Sequence, residues 1–167
     1  LATFIDGFRL HPKLALEDTP DYLMPEAIIK QMHILVTNAV NSGDVNKIAD
    51  MFNGQVLKSI GDISLLMDVV PAIAHARGFE AALAEIEDSG RYITRKLGHE
   101  VPALNKLHIK YYQDWLQALV SEGAVDEGLQ TYSLAKAHYP DDPYIHLLGA
   151  ELALLNGDWK EAERMLY

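Results

Sequence analysis

Four glycine-centred turns punctuate this chain at nearly regular intervals, and that spacing constrains its fold more than any other feature. Asn41-Ser42-Gly43-Asp44, Ala76-Arg77-Gly78-Phe79, Ser121-Glu122-Gly123-Ala124 and Leu155-Asn156-Gly157-Asp158 each separate two segments with helical apolar spacing. The glycines are 35, 45 and 34 residues apart. Glycine tolerates the left-handed backbone just past a helix end. Asp44 and Asp158 suit the first turn of the helix that follows, where the macrodipole favours an anion. A period of about 34 residues with one turn glycine per unit predicts a stack of helical hairpins. The longer interval between Gly78 and Gly123 asks for two longer helices, at 79–96 and 102–122. Gly98 would close the first and Pro102 open the second. Leu and Ala supply 42 of the 167 residues, a balance that favours helix over sheet.

The last two units carry a sharper pattern. Set at an offset of 34, Gly123 falls on Gly157, Glu127 on Glu161 and Gly128 on Ala162. The first of the two reads Tyr112-x2-Trp115-Leu116-x2-Leu119, then Gly128-x3-Tyr132-x2-Ala135, then Pro140. This resembles the tetratricopeptide repeat, in which large and small apolar residues alternate in this order and a proline closes the unit. Small Gly128 and Ala135 would let the two helices of a hairpin approach. Large Tyr112, Trp115 and Tyr132 would fill the space between hairpins. Pro140 would stop one helix and Pro143 start the next, where a missing N–H costs nothing. The following unit offers Gly149-Ala150 and Ala162-x3-Leu166, and departs at His146, where a large apolar residue is usual. Residues 29–53 (Met32-x2-Leu35-Val36-x2-Ala39, Ile48-x3-Phe52) and 63–96 (Leu66-x2-Val69-Val70-x2-Ile73, Ala82-x3-Ile86) keep the apolar spacing without the small-residue signature.

The resemblance implies an all-α, right-handed α-α superhelix of about four hairpins in a single repeat domain. Their approximate spans are 25–62, 63–101, 102–142 and 143–167, with 1–24 as the tail of a preceding helix plus a loop. It also implies a protein- or peptide-binding scaffold whose concave groove is lined by the first helix of each hairpin. In that register the inward positions are Lys30, His33 and Thr37; Met67 and His75; Lys110, Gln113 and Gln117; and Tyr144, Leu147 and Glu151. Some members of the family hold a C-terminal carboxylate with a Lys, Asn and Arg clamp. Here Thr37 and Gln117 occupy two of the Asn positions, so that clamp is not reproduced. Many of the same side chains would equally serve to pack against the neighbouring hairpin. Pro71 falls in the middle of the helix expected over 63–77, where it removes one hydrogen bond or breaks the helix in two.

No phosphate-binding glycine loop, metal-binding His-Glu motif, nucleophile elbow or EF-hand loop is present in the sequence. Ser133-x-x-Lys136 matches a hydrolase string, but mid-helix and without its companion motifs. Acidic pairs such as Asp126/Glu127 and Asp141/Asp142 read as solvated charge near helix ends. The seven histidines are scattered singles, none in an i, i+4 pair with another histidine. We therefore expect no enzyme activity, no cofactor and no metal site. The net charge of −10 repels phosphate backbones and argues against a nucleic-acid partner. No apolar run approaches the ~18 residues of a membrane span. With no cysteine, the compartment stays open between cytoplasm and bacterial periplasm.

The chain starts at Leu1 without a methionine and stops at Tyr167 inside an apparent helix, so it is expected to be a fragment or processed product. The alternative function is then the non-catalytic repeat region of a larger bacterial enzyme, joined to a hydrolase or transferase domain. Open ends of such a stack would also pair with missing repeats or with another copy of the chain.

Overall fold

The structure, a computed structural model, describes residues 26–52, Leu57 and residues 61–166. The expected helix tail and loop over 1–24 lie outside them. The described residues form eight α-helices and no strand. They are α1 (Glu26–Asn41), α2 (Val45–Met51), α3 (Ile63–Arg77), α4 (Phe79–Leu97), α5 (Pro102–Glu122), α6 (Val125–His138), α7 (Pro143–Leu155) and α8 (Trp159–Leu166). Two compact units divide between Leu104 and Asn105.

In the first unit α3 is the central element, packed by α1, α2 and α4. Its sequence explains why. Leu65, Leu66, Val69, Val70, Ala72 and Ile73 are all buried, a wide apolar face that several neighbours must cover. Met32 and Val36 of α1 and Ile48 of α2 are buried in the same unit, as is Phe52. The Arg77 guanidinium ties the end of α3 to α2, donating to the Ala49 carbonyl at 3.0 Å and to Asp50 Oδ1 at 3.2 Å. α3 runs unbroken through Pro71, which is exposed on the same side as Ser64, Met67 and His75. The Met67 carbonyl that loses its donor therefore faces water, which is how a helix tolerates an interior proline.

α4 and α5 occupy the two long stretches expected from the wide glycine interval. Gly98 adopts φ 74°, ψ 10°, the left-handed conformation that a helix end favours, and its N–H donates to the Thr94 carbonyl.

In the second unit α6, α7 and α8 stack in sequence. Two reciprocal fits set the α6–α7 distance. A Cβ on Gly128 would sit 2.4 Å from Leu152 Cδ2, and one on Gly149 would sit 2.5 Å from the Tyr132 ring. Each large side chain enters the gap left by the other helix's glycine. Gly128 thus serves the contact with the following helix, rather than the approach within its own hairpin that the sequence suggests. Ala150 and Ala153 of α7 meet Ala162 of α8, with Met165 against them. Tyr112 and Tyr132 are buried as expected, but Trp115 is only partly so; Leu116 and Leu119 beside it are among the buried residues. Asp158 acts just ahead of α8 rather than in its first turn, its Oδ1 accepting from the Glu161 N–H at 3.0 Å. Asp44 precedes α2 in the same way, without a side-chain capping bond.

Candidate functional site

α5 and α7 form the best-defined surface. Asp142 precedes α7 and accepts from the Ile145 N–H at 2.9 Å, with Pro143 at the first helical position. This is the usual helix start, an acidic N-cap followed by proline. The same carboxylate accepts from Gln113 Nε2, 3.2 Å from each oxygen. Two residues on, the Tyr144 hydroxyl donates to Gln117 Oε1 at 2.9 Å. Gln113 pairs with the start of α7 and Gln117 with a point further along it, so the two helices run side by side in the same direction.

The outward face of α7 carries Tyr144, Leu147, Glu151 and Leu154, whose spacings of three, four and three residues place them on one side of a helix. Tyr144 is 41%, Leu147 40% and Leu154 57% exposed, while Glu151 is partly buried among them. Of the positions expected in a groove, Gln113, Gln117, Tyr144, Leu147 and Glu151 thus share one surface. Lys110 is exposed on α5 and ion-paired with Asp114, one helical turn on. An exposed pair of this kind is worth under about 0.5 kcal/mol and holds the cation loosely. Leu154 was not among the expected positions; the signal for it was the continuation of the Tyr144, Leu147, Glu151 spacing by one more turn. Asp142 was also missed, and its Asp-Pro helix-start signature could have found it.

The second unit also holds a polar aromatic cluster. His108 is buried, its Nδ1 bonded to the Tyr139 hydroxyl, which in turn donates to Asn105 Oδ1 at 3.1 Å. Because that hydroxyl donates to Asn105, His108 Nδ1 is the donor to it. His146 spans two partners: its Nε2 donates to the Pro140 carbonyl at 2.6 Å, and Nδ1 lies 3.0 Å from the Tyr132 hydroxyl. This explains its place in a position that usually takes an apolar residue. It clamps the α6–α7 turn to the ring that fills Gly149. Burial pushes the Tyr111 hydroxyl up to about 12 from 10.0, with the nearby Asp114 carboxylate adding to it. A pocket of about 340 Å³ opens beside the turn, with Ile109, Tyr139, Asp141 and Pro143 in its wall.

In the first unit His33 is engaged by α3 and the residue that caps it. Its Nδ1 lies 2.9 Å from Asp68 Oδ2 and its Nε2 3.6 Å from Asp62 Oδ1. Asp62 also caps α3 through the Leu65 N–H at 2.8 Å. Lys30, Thr37 and His75 are exposed, and Met67 is 45% exposed next to Asp68.

Ser133 donates to its own helix at the Leu129 carbonyl, and Lys136 lies over the Tyr132 ring. Among the described residues no three His, Asp or Glu side chains converge as a metal site would require, and no helix is long and apolar enough to cross a membrane. No protein-family model matches the chain, and neither a curated protein nor a solved structure is significantly similar to it.

Proposed function

We propose that the second unit consists of two hairpins of the tetratricopeptide type and binds an extended or helical segment of a protein partner across the outward faces of α5 and α7. The reading extends to a right-handed superhelix of about four such hairpins, acting as a scaffold without catalysis of its own. One observation carries it. The Gln113–Asp142 and Tyr144–Gln117 bonds hold two parallel helices in register, yet Tyr144, Leu147 and Leu154 on that side stay exposed. Large apolar side chains grouped on one exposed face mark interaction surfaces more often than chance scatter does. Fixed geometry also limits the side-chain ordering that binding would otherwise cost.

The test is to recover a partner by pull-down and compare its affinity for Tyr144→Ala with that for Glu127→Ala, an exposed carboxylate on α6. Tyr144→Ala is expected to weaken binding by about 1–2 kcal/mol and Glu127→Ala to leave it unchanged. Because the anchors are apolar, binding should depend only mildly on salt. Equal loss in both variants, or in neither, would place binding elsewhere on the molecule.

A further inference from the structure

We propose that the outward face of α7 takes a helical segment bearing two or three large apolar side chains and one Lys or Arg, with that cation meeting Glu151. The proposal rests on the reading of this face as a binding surface and adds the chemistry of its occupant.

The stripe from Tyr144 to Leu154 covers ten helical steps, about 15 Å. That length matches two to three turns of an opposing helix, whose apolar side chains at i, i+3 and i+10 would sit against Tyr144, Leu147 and Leu154, with i+7 level with Glu151. Leu155, 54% exposed, broadens the apolar surface at one end.

Glu151 stands in the middle of this stripe. Among the described residues no hydrogen bond or ion pair engages its carboxylate. The other carboxylates nearby are committed: Asp114 to Lys110, and Asp142 to Gln113 and the Ile145 N–H. Nor does α5 bring a spare cation. Taking the Gln117–Tyr144 bond as the fixed point of two parallel helices, exposed Lys106 lies eleven residues, about 16 Å, in one direction. Glu151 lies seven residues, about 10 Å, in the other.

A wholly apolar helix laid on this stripe would bury the Glu151 charge without a partner, which is strongly unfavourable. An acidic one would place two carboxylates together. A Lys or Arg at the centre of the docked face converts the same charge into an attraction, so Glu151 selects by penalising the wrong partners as much as by rewarding the right one. The net charge of −10 draws a cationic segment toward the molecule from a distance.

The experiment uses the full chain and three labelled, alanine-rich helical peptides followed by fluorescence anisotropy. All have leucines at i, i+3 and i+10, and they differ only at i+7, which is Arg, Leu or Glu. The Arg peptide should bind about tenfold tighter than the Glu peptide. Glu151→Arg should remove or invert that preference, while Glu127→Arg, an equal charge change on α6, should leave it. A preference that persists in Glu151→Arg, or vanishes in Glu127→Arg, would show a general charge effect and overturn the proposal. Equal binding of all three peptides, weakened throughout by Leu154→Ala, would also overturn it while leaving the face as a binding surface. Failure of all three to bind would overturn it too. Sedimentation velocity covers the remaining occupant: a dimer that Leu154→Ala dissociates would make the occupant a second copy of this chain, again overturning the proposal.

Discussion

At Gly149 a hydrogen atom in place of a methyl group decides how closely α6 and α7 can meet. The Tyr132 ring lies where the Cβ would be, and a ring cannot swing aside as the end of a flexible chain can. Gly149→Ala gains up to about 1 kcal/mol of helix propensity but must displace a buried tyrosine. Overpacking of this kind costs about 1–3 kcal/mol. The variant should therefore unfold at lower urea concentration than the parent; a higher midpoint would show that the gap has room. Tyr111 supplies a pH dependence. Its hydroxyl ionises at about 12 in the fold against 10.0 in the open chain, so the unfolded state loses its proton first. The stability this contributes is complete below pH 10 and is lost as pH rises from 10 through 12. Allowing for partial solvent screening, the loss is on the order of 1–2 kcal/mol. Urea midpoints of the parent and Tyr111→Phe, compared between pH 9 and pH 11.5, should converge as pH rises; parallel curves would refute the shift.

At the scale of the helix, α3 is held in spite of a local defect. Pro71 removes the donor for the Met67 carbonyl, on an exposed face where water can replace it. Interior proline costs a helix about 3 kcal/mol, partly offset by the reduced freedom it imposes on the unfolded chain. Pro71→Ala should raise stability by about 1–2 kcal/mol in chemical denaturation; a neutral or destabilised variant would mean that α3 depends on the proline's geometry. Helix positions were largely legible in the sequence, because glycine, proline and aspartate act locally: Gly98, Pro102 and Pro143 mark ends by backbone chemistry alone. Contacts between helices were less legible. Gly128 reads as a small residue in either arrangement, and only the position of Leu152 shows which helix it admits. Trp115 reads as core by size, yet burial depends on what faces it, which spacing does not contain.

For the whole molecule, the site was legible where one register runs through two neighbouring helices. Gln113, Gln117 and Tyr144 follow from the register that the resemblance implies, and the structure bonds Gln113 to Asp142 and Tyr144 to Gln117. His33 shows the limit: periodicity places it on the first helix, but the two carboxylates it binds come from a segment some thirty residues away. The central claim is that the outward faces of α5 and α7 are covered by a partner. Site-specific photocrosslinking tests it most directly, with benzoylphenylalanine placed in turn at Leu147 and at Glu127 of the full chain. The account predicts a partner adduct from position 147 and none from position 127, with the partner peptide mapped by mass spectrometry. Adducts from position 127 alone, or equal adducts from both, would contradict it.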